Sequence, residues 1–522
     1  MMRLLGPRYK LFLLFFAFGA GLIFAIGWLT QFHALGNDYW NILYYGRHMT
    51  LSQPESLYNG FYPFGYPFLI GQMPFTYVLP LSYVLNALLA GLLIASVSTL
   101  LSYSDSVPVM IVAFYSAIAA PFIYQNAITL SPDIGAAGFT AFAIFLLCRD
   151  WFDSEQRDSS RDEVAASRLV IAGISLGLSF LWRTHALVSI LAILAGYFLL
   201  RGIRPLRSSV LLIVSIALVA GLQAIVNRIS GHGPFETAQA FNLYKFFYGV
   251  DWTNPPGPSE IEKFSLLQTI VSDPLRAWGA YKPLFIYFVQ HTWAAALAFI
   301  LSPRGRFSRV SLFFFIFIFL YAIPISLSDS ARSPVVLMTV FLPSVAVLLA
   351  VLIETAGKYL PSVPYLEWIV TVLFLALGFQ TLSGWALYDI GITRAAVAER
   401  KVLSVIEQTL ISNGMTSPGQ VFADRYDYYT PNTMPYRARS IDKWSLDWFW
   451  GMAEEYPLLP NASWEVFSAA CKEQGIRYLV LGPNSHYRGE IFPPIYNDEV
   501  DLEAFGLRFI GQRGKMRIYE FQ

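Results

Sequence analysis

Charged residues are scarce in this sequence. Asp, Glu, Lys and Arg together make up 14% of its 522 residues, where a soluble globular domain carries roughly 25%. A surface that poor in charge is not built to face water everywhere. Cysteine is nearly absent as well. Cys148 lies in an apolar run and Cys471 in the polar C-terminal stretch, so they offer no disulfide framework and no paired-cysteine metal site. There is no basic excess, since the formal net charge is +1, and a nucleic-acid partner is thereby disfavoured. The chain lacks a glycine-rich phosphate loop and a dinucleotide fingerprint. That argues against a soluble nucleotide-sugar donor and against an ATP-driven pump. No internal repeat and no low-complexity tract is visible.

What is abundant is apolar. Hydrophobic residues make up 55% of the chain and aromatic residues 16%. Lipid offers no hydrogen-bond partners, so a spanning segment must be a helix or a closed barrel. A helix needs about 20 apolar residues, and the sequence holds about eleven such stretches. They run from Leu11 to Leu29, from about Tyr77 to Leu101, from Pro108 to about Tyr124, and from Ile134 to Cys148. The run from Leu169 to Leu200 is interrupted by Arg183-Thr184-His185 and divides there into two spans. The remainder run from Val210 to Val226, Leu284 to Leu301, Val310 to Leu327, Val335 to Ile353, and Leu366 to Trp385.

Arg3, Arg8 and Lys10 precede the first span, which puts the N-terminus in the cytoplasm by the positive-inside rule. Basic clusters at Arg149–Arg168, Arg201–Arg207 and Arg304–Arg309 fall on that same side, provided the long run is split at Arg183. The first apolar run also fits a signal peptide, but it is long for one, and no clear cleavage pattern follows it. The expected fold is an all-α polytopic membrane protein with a small C-terminal α/β extracytoplasmic domain. Residues 1–390 form the membrane part, with outer loops at 30–76 and 228–283, and residues 391–522 form the tail domain. In the tail, residues 477–482 read as a buried strand, 515–521 as another, and 399–412 carry helical spacing.

Ionisable groups in or beside a membrane are costly and tend to be functional. Asp38, Asp133, Arg183, His185, Asp329 and Arg332 all fall on the outer side of this topology. Asp38 begins an amphipathic stretch in which Trp40, Leu43 and Tyr44 share a helical face, as expected of a helix on the membrane surface. The bland alternative is that Asp38 only caps that helix. The Pro-Phe-Gly-Tyr-Pro stretch at 63–67 is not expected to be regular helix. Asp133 could cap the fourth span, Arg183 could snorkel to lipid headgroups, and His185 could be structural. Asp329 and Arg332 could pair with each other. Tyr62, Tyr66 and Glu236 are candidate substrate contacts, with Tyr244 and Lys245 beside Glu236. Lys282 is a substrate contact or an interface anchor. Asn461-Ala-Ser463 is a glycosylation sequon, meaningful only where that machinery exists.

The acidic residue soon after the first span, "YPFGYP" leading into the second and "SPD" before the fourth resemble the GT-C glycosyltransferases. "GISLGLSFLWRTHALVSILAIL" is similar to that family's fifth and sixth spans, and "SARSPVVLMTVFLPSVAVLLA" to its late span. The likeness covers residues 1 to about 390 and sits nearest the bacterial protein O-mannosyltransferases and aminoarabinose transferases. It implies a sugar donor carried on a polyprenyl phosphate and an acceptor (glycan, lipid or protein) arriving from outside. By position Asp38 matches the catalytic carboxylate, with Asp133 as a second. Arg183, His185 and Arg332 would hold the lipid phosphate, a task suited to the two-pronged guanidinium. No cofactor is demanded. If a divalent cation (Mg or Mn) takes part, Asp38 and Asp133 are its candidate ligands, although Asn37-Asp38 supplies one carboxylate where many relatives carry a pair. The expected place is the plasma (inner) membrane of a prokaryote. The rival readings are a lipid-linked glycan polymerase or ligase, a transporter or flippase, and a non-catalytic membrane assembly protein.

Overall fold

The structure, a computed structural model, describes residues 7–30, 32, 37–58, 60, 62–74, 77–101, 107–152, 166–201, 206–234, 243–244, 247–248, 264–304, 307–326, 334–360, 365–416, 418–423, 463–482 and 491–522. Apolar runs with no partner outside must satisfy their backbone internally, and they do so as helices. The first half of the chain holds α1 (Pro7–Leu29), α2 (Asn37–His48), α3 (Gly65–Gly71), α4 (Val78–Leu101), α5 (Val107–Ala119), α6 (Pro121–Ile128), α7 (Asp133–Phe152), α8 (Ala166–Trp182), α9 (Ala186–Arg201) and α10 (Leu206–Ile229). Then follow α11 (Leu266–Ser272), α12 (Pro274–Gln290), α13 (Trp293–Leu301), α14 (Ser308–Ile325), α15 (Pro334–Tyr359) and α16 (Leu366–Ser412).

Among the described residues, five helices are long and apolar enough to cross a membrane: Tyr9–Leu29, Val78–Leu100, Ser208–Ile229, Ser308–Ile325 and Val335–Tyr359. A sixth crossing arises if α12 and α13, bent by 43° at a short break, act as one. α8 and α9 are apolar but shorter. Each stretch expected to span is helical for most of its length. The third is broken at Ala120, between α5 and α6, with Pro121 opening the second piece. The split at 183–185 is present, since α8 stops at Trp182 and α9 starts at Ala186.

The bundle is built on close crossings. α4 lies between α1 and α7, α8 between α7 and α10, and α15 packs against α4, α5, α7, α13, α14 and α16. Small residues permit such approaches where lipid supplies no hydrophobic drive between helices. The tightest is between α2 and α3. A Cβ on Gly46 would fall 2.0 Å from the Pro67 carbonyl oxygen, and one on Gly71 would fall 2.0 Å from that of Gly46. α2 buries Tyr39, Ile42, Leu43 and Tyr45.

One expectation is corrected here. The Pro-Phe-Gly-Tyr-Pro stretch is not wholly irregular, because α3 begins at Gly65 and contains Pro67. Proline is tolerated in a first turn, where its missing N–H has no intrahelical partner to lose.

α16 runs unbroken through residue 390, where a domain boundary was expected. Its end belongs to the tail. Leu403, Ile406 and Leu410 pack on one face of a four-stranded sheet, against Val421, Val480 and Ile518. The strands are β1 (Val421–Ala423), β2 (Tyr478–Leu481), β3 (Leu507–Arg513) and β4 (Met516–Phe521), in the order β1-β2-β4-β3. β1 is parallel to β2, and the other pairs are antiparallel. α17 (Trp464–Glu473) and α18 (Phe492–Tyr496) cover the other face through Phe467, Cys471, Phe492 and Ile495. β2 is therefore buried on both sides, which explains its uninterrupted Tyr-Leu-Val-Leu run.

Candidate active site

The register between α7 and α8 builds the site. Ser179 Oγ donates to the Ala136 carbonyl (2.9 Å) and lies 3.0 Å from Thr140 Oγ1, which locks the two helices together. One turn after Ser179 comes Arg183, and at the start of α7 comes Asp133. Arg183 Nε donates to Asp133 Oδ1 at 2.8 Å and Nη2 to Oδ2 at 2.9 Å. Parallel bonds of this kind are strong and directional. Ser131 Oγ donates to Oδ2 at 2.6 Å, and His185 Nε2 lies 3.7 Å from Oδ1. The Asp133 side chain is fully buried, while those of Arg183 and His185 keep 12% and 16% exposure. The cluster is thus closed on the carboxylate side and open on the cation side.

The turn that carries Asp133 is held by three side chains from other elements. Tyr66 donates to the Leu130 carbonyl at 2.7 Å, Tyr83 to that of Ile128 at 3.2 Å, and Asn86 Nδ2 to that of Ser131 at 3.4 Å. Leu130 sits at φ 52°, a backbone conformation that only surrounding structure sustains in a non-glycine residue. Burial pushes the Tyr66 phenol well above its ordinary pKa. Tyr39 adds to the rise, and Arg183 opposes it. Tyr39, buried in the first turn of α2, shares a 2.9 Å hydrogen bond with Ser82, and its phenol is also raised, chiefly by burial. Both phenols stay protonated donors at any ordinary pH. The Arg183 guanidinium lies over the Tyr62 ring, 5.9 Å from its centroid, within cation–π range. Trp182 packs its ring on Tyr66 and Phe139.

Of the residues singled out in the sequence, Asp133, Arg183, His185, Tyr62 and Tyr66 are brought together. Asp38 lies in the first turn of α2, next to Tyr39, but its side chain is outside the described residues. So are Glu236, Lys245, Asp329 and Arg332. Lys282 is exposed on α12, well inside that helix. The first-turn N–H groups of Gly135 and Ala136 donate to the Pro132 carbonyl, while the described hydrogen bonds of the Asp133 carboxylate go to Arg183 and Ser131. Arg183 points into the protein rather than out to a headgroup.

Among the described residues, no group of three or more His, Cys, Asp or Glu side chains converges as a metal site would require. As arranged, Asp133 fits a divalent cation poorly, because the Arg183 fork covers both its oxygens. Sequence reasoning passed over Ser131, although it stands in the "SPD" triplet itself. It also passed over the clamp of Tyr83 and Asn86, whose signal was a phenol and an amide three residues apart, on one helical face of a largely apolar span.

No family model matches the chain, and no curated protein matches it. The chain is similar in shape to several solved structures. One is ArnT from Cupriavidus metallidurans bound to undecaprenyl phosphate, at 13% identity and a TM-score of 0.49, over 97% of each chain. Another is the archaeal oligosaccharyltransferase AglB from Archaeoglobus fulgidus in complex with an inhibitory peptide and a dolichol-phosphate. That likeness has 14% identity and a TM-score of 0.46, over 96% of this chain and 72% of that one. These likenesses concern shape, and they assign no role to any residue here.

Proposed function

We propose that the chain is an integral membrane glycosyltransferase that takes a sugar from a polyprenyl-phosphate donor at the Asp133–Arg183 cluster. The observation that carries this reading is the pair itself. A guanidinium is fixed by a buried carboxylate, stacked on a tyrosine ring and left open on one side, at the end of the bundle where the first turn of α2 also lies. The sequence resemblance to GT-C proteins supports the same reading.

The residues divide the work as follows. Asp133 is a positioning residue, since both its oxygens are engaged in aiming Arg183. The Nη1 amine of Arg183 lies outside the fork, and in this reading it is the donor offered to the lipid phosphate. Because Asp133 neutralises Arg183, the charge that receives the leaving phosphate comes in part from other cations, for which His185 and Arg332 are the candidates. Asp38 takes the proton of the acceptor hydroxyl as its oxygen attacks the anomeric carbon. The bond from that carbon to the phosphate oxygen breaks, and the electron pair leaves on the lipid phosphate, where fixed cations stabilise it. The reading places the reaction on the extracytoplasmic face of a prokaryotic plasma membrane, with the N-terminus inside.

Binding of undecaprenyl phosphate to purified protein in nanodiscs tests the phosphate site. Wild type should bind the monophosphate and ignore undecaprenol, and Arg183→Gln should lose affinity by about tenfold to a hundredfold, the worth of a charged hydrogen bond. Equal affinity for the alcohol and the phosphate would remove the site from the account.

A further inference from the structure

The middle of α10 is largely apolar, and at and just past its C-terminal end Gln223, Asn227 and Ser230 follow one another at helical spacing. Gln223 and Asn227 are 4% and 3% exposed. Buried amides in an apolar helix are costly unless every bond is met. Gln223 Oε1 accepts from the backbone N–H of Phe64 at 2.9 Å. Gln223 Nε2 donates to Asn227 Oδ1 at 2.7 Å. Asn227 Nδ2 in turn faces the carbonyls of Gly233 and Pro234, at 3.4 and 3.2 Å. Ser230 Oγ donates to the Pro54 carbonyl at 3.0 Å.

The direction of this chain is forced. A backbone N–H only donates, so Gln223 must present its oxygen to Phe64 and its amine to Asn227. Asn227 must then present its oxygen to Gln223 and its amine to the two carbonyls. Each amide has one orientation that satisfies all its neighbours. Phe64 stands two residues after Tyr62, whose ring lies under Arg183. The relay therefore runs from the start of the loop after α10, through Asn227 and Gln223, to the segment that holds Tyr62.

We propose that Gln223 and Asn227 are positioning residues. They fix the 62–64 segment so that Tyr62 stays under the Arg183 guanidinium, and they tie that placement to the backbone at 233–234. The effect on affinity rests on the lipid-phosphate reading above, whereas the placement of Tyr62 does not. If the Phe64 bond is lost, the Tyr62 ring is free to leave Arg183, and the guanidinium is no longer held ready for an anion.

The test uses full-length protein in nanodiscs, with 3-fluorotyrosine incorporated at Tyr62. Its fluorine resonance is read beside undecaprenyl phosphate binding. Arg183→Gln marks the resonance of a Tyr62 ring without its cation. Gln223→Leu should move the signal toward that mark and weaken binding by about tenfold, the scale of one buried hydrogen bond. Gln223→Glu, kept protonated by burial, retains an acceptor for Phe64 and a donor for Asn227 and should restore most of both. If Gln223→Leu does not fold, Phe64→Pro serves instead. Phe64 has φ −69°, which proline adopts without strain while lacking the N–H, and the signal should move the same way.

A Tyr62 signal unchanged from wild type in these variants would overturn the proposal. A moved signal with undiminished affinity would overturn its functional half. If wild type binds no undecaprenyl phosphate, the lipid-phosphate reading fails, and the fluorine signal alone still decides the placement.

Discussion

Arg183 closes on Asp133 through two parallel bonds, at 2.8 and 2.9 Å, across fifty residues of sequence. The carboxylate is fully buried, and the guanidinium side chain keeps 12% exposure. Removing one partner of such a pair strands the other charge, which typically costs about 3–5 kcal/mol. Asp133→Ala should therefore lower stability by that order in detergent unfolding. The double variant Asp133→Ala/Arg183→Ala should lose less than the sum of the two singles. Additive losses would mean that the pair contributes nothing as a pair.

The crossing of α2 and α3 makes a second prediction. A Cβ at Gly46 has no room, with backbone oxygen 2.0 Å away, whereas Gly221 on α10 has nothing within 4 Å of its would-be Cβ. Gly46→Ala should lower the melting temperature and push the C-terminal end of α2 away from α3. Gly221→Ala should leave the melting temperature unchanged or raise it slightly, since alanine favours a helix over glycine by about 1 kcal/mol. Matching behaviour of the two variants would contradict the packing described here.

The tail domain has its own pH dependence. Burial alone would raise the Glu520 carboxyl, but the guanidiniums of Arg508 and Arg477 outweigh it and hold the group below its ordinary value. A depressed carboxyl stabilises the fold at pH above the unfolded value, about 4.3 for Glu. That stability is lost as the pH falls through the folded value. Hydrogen exchange of the β3 and β4 peptides, corrected for intrinsic rates, should show this sheet loosening below about pH 4.3. Glu520→Gln should be looser at pH 7 and should lack the acid step. An acid step that survives in Glu520→Gln would place its origin elsewhere.

Much of the scaffold was legible because lipid imposes a simple rule. Apolar runs must be helices, so the segments from Leu11 to Trp385 announced themselves, and Arg183-Thr184-His185 marked a true break between α8 and α9. The doubly buried β2 was legible for the same reason, its apolar run having no polar face. Less legible was anything set by contacts between distant segments. "SPD" named Asp133 but not its partner, because the pairing depends on the register that Ser179 and Thr140 impose on α7 and α8. Pro67 misled, because a proline in a first turn and a proline that breaks a helix look alike in sequence. Gln223 and Asn227 gave a faint signal, two amides four residues apart near the end of an apolar span. Their meaning lay in which backbone groups they reach.

The most direct measurement of the central claim is release of radiolabelled sugar from polyprenyl-phosphate sugars by purified protein in detergent. Wild type and Asp38→Asn are compared over a panel of common donors. The account predicts that wild type releases sugar, to water or to acceptor, from at least one donor, and that Asp38→Asn loses that release while keeping its fold. Equal release by both proteins would return Asp38 to the role of a helix cap. No release from any donor by a folded wild type that also fails to bind undecaprenyl phosphate would contradict the proposed activity.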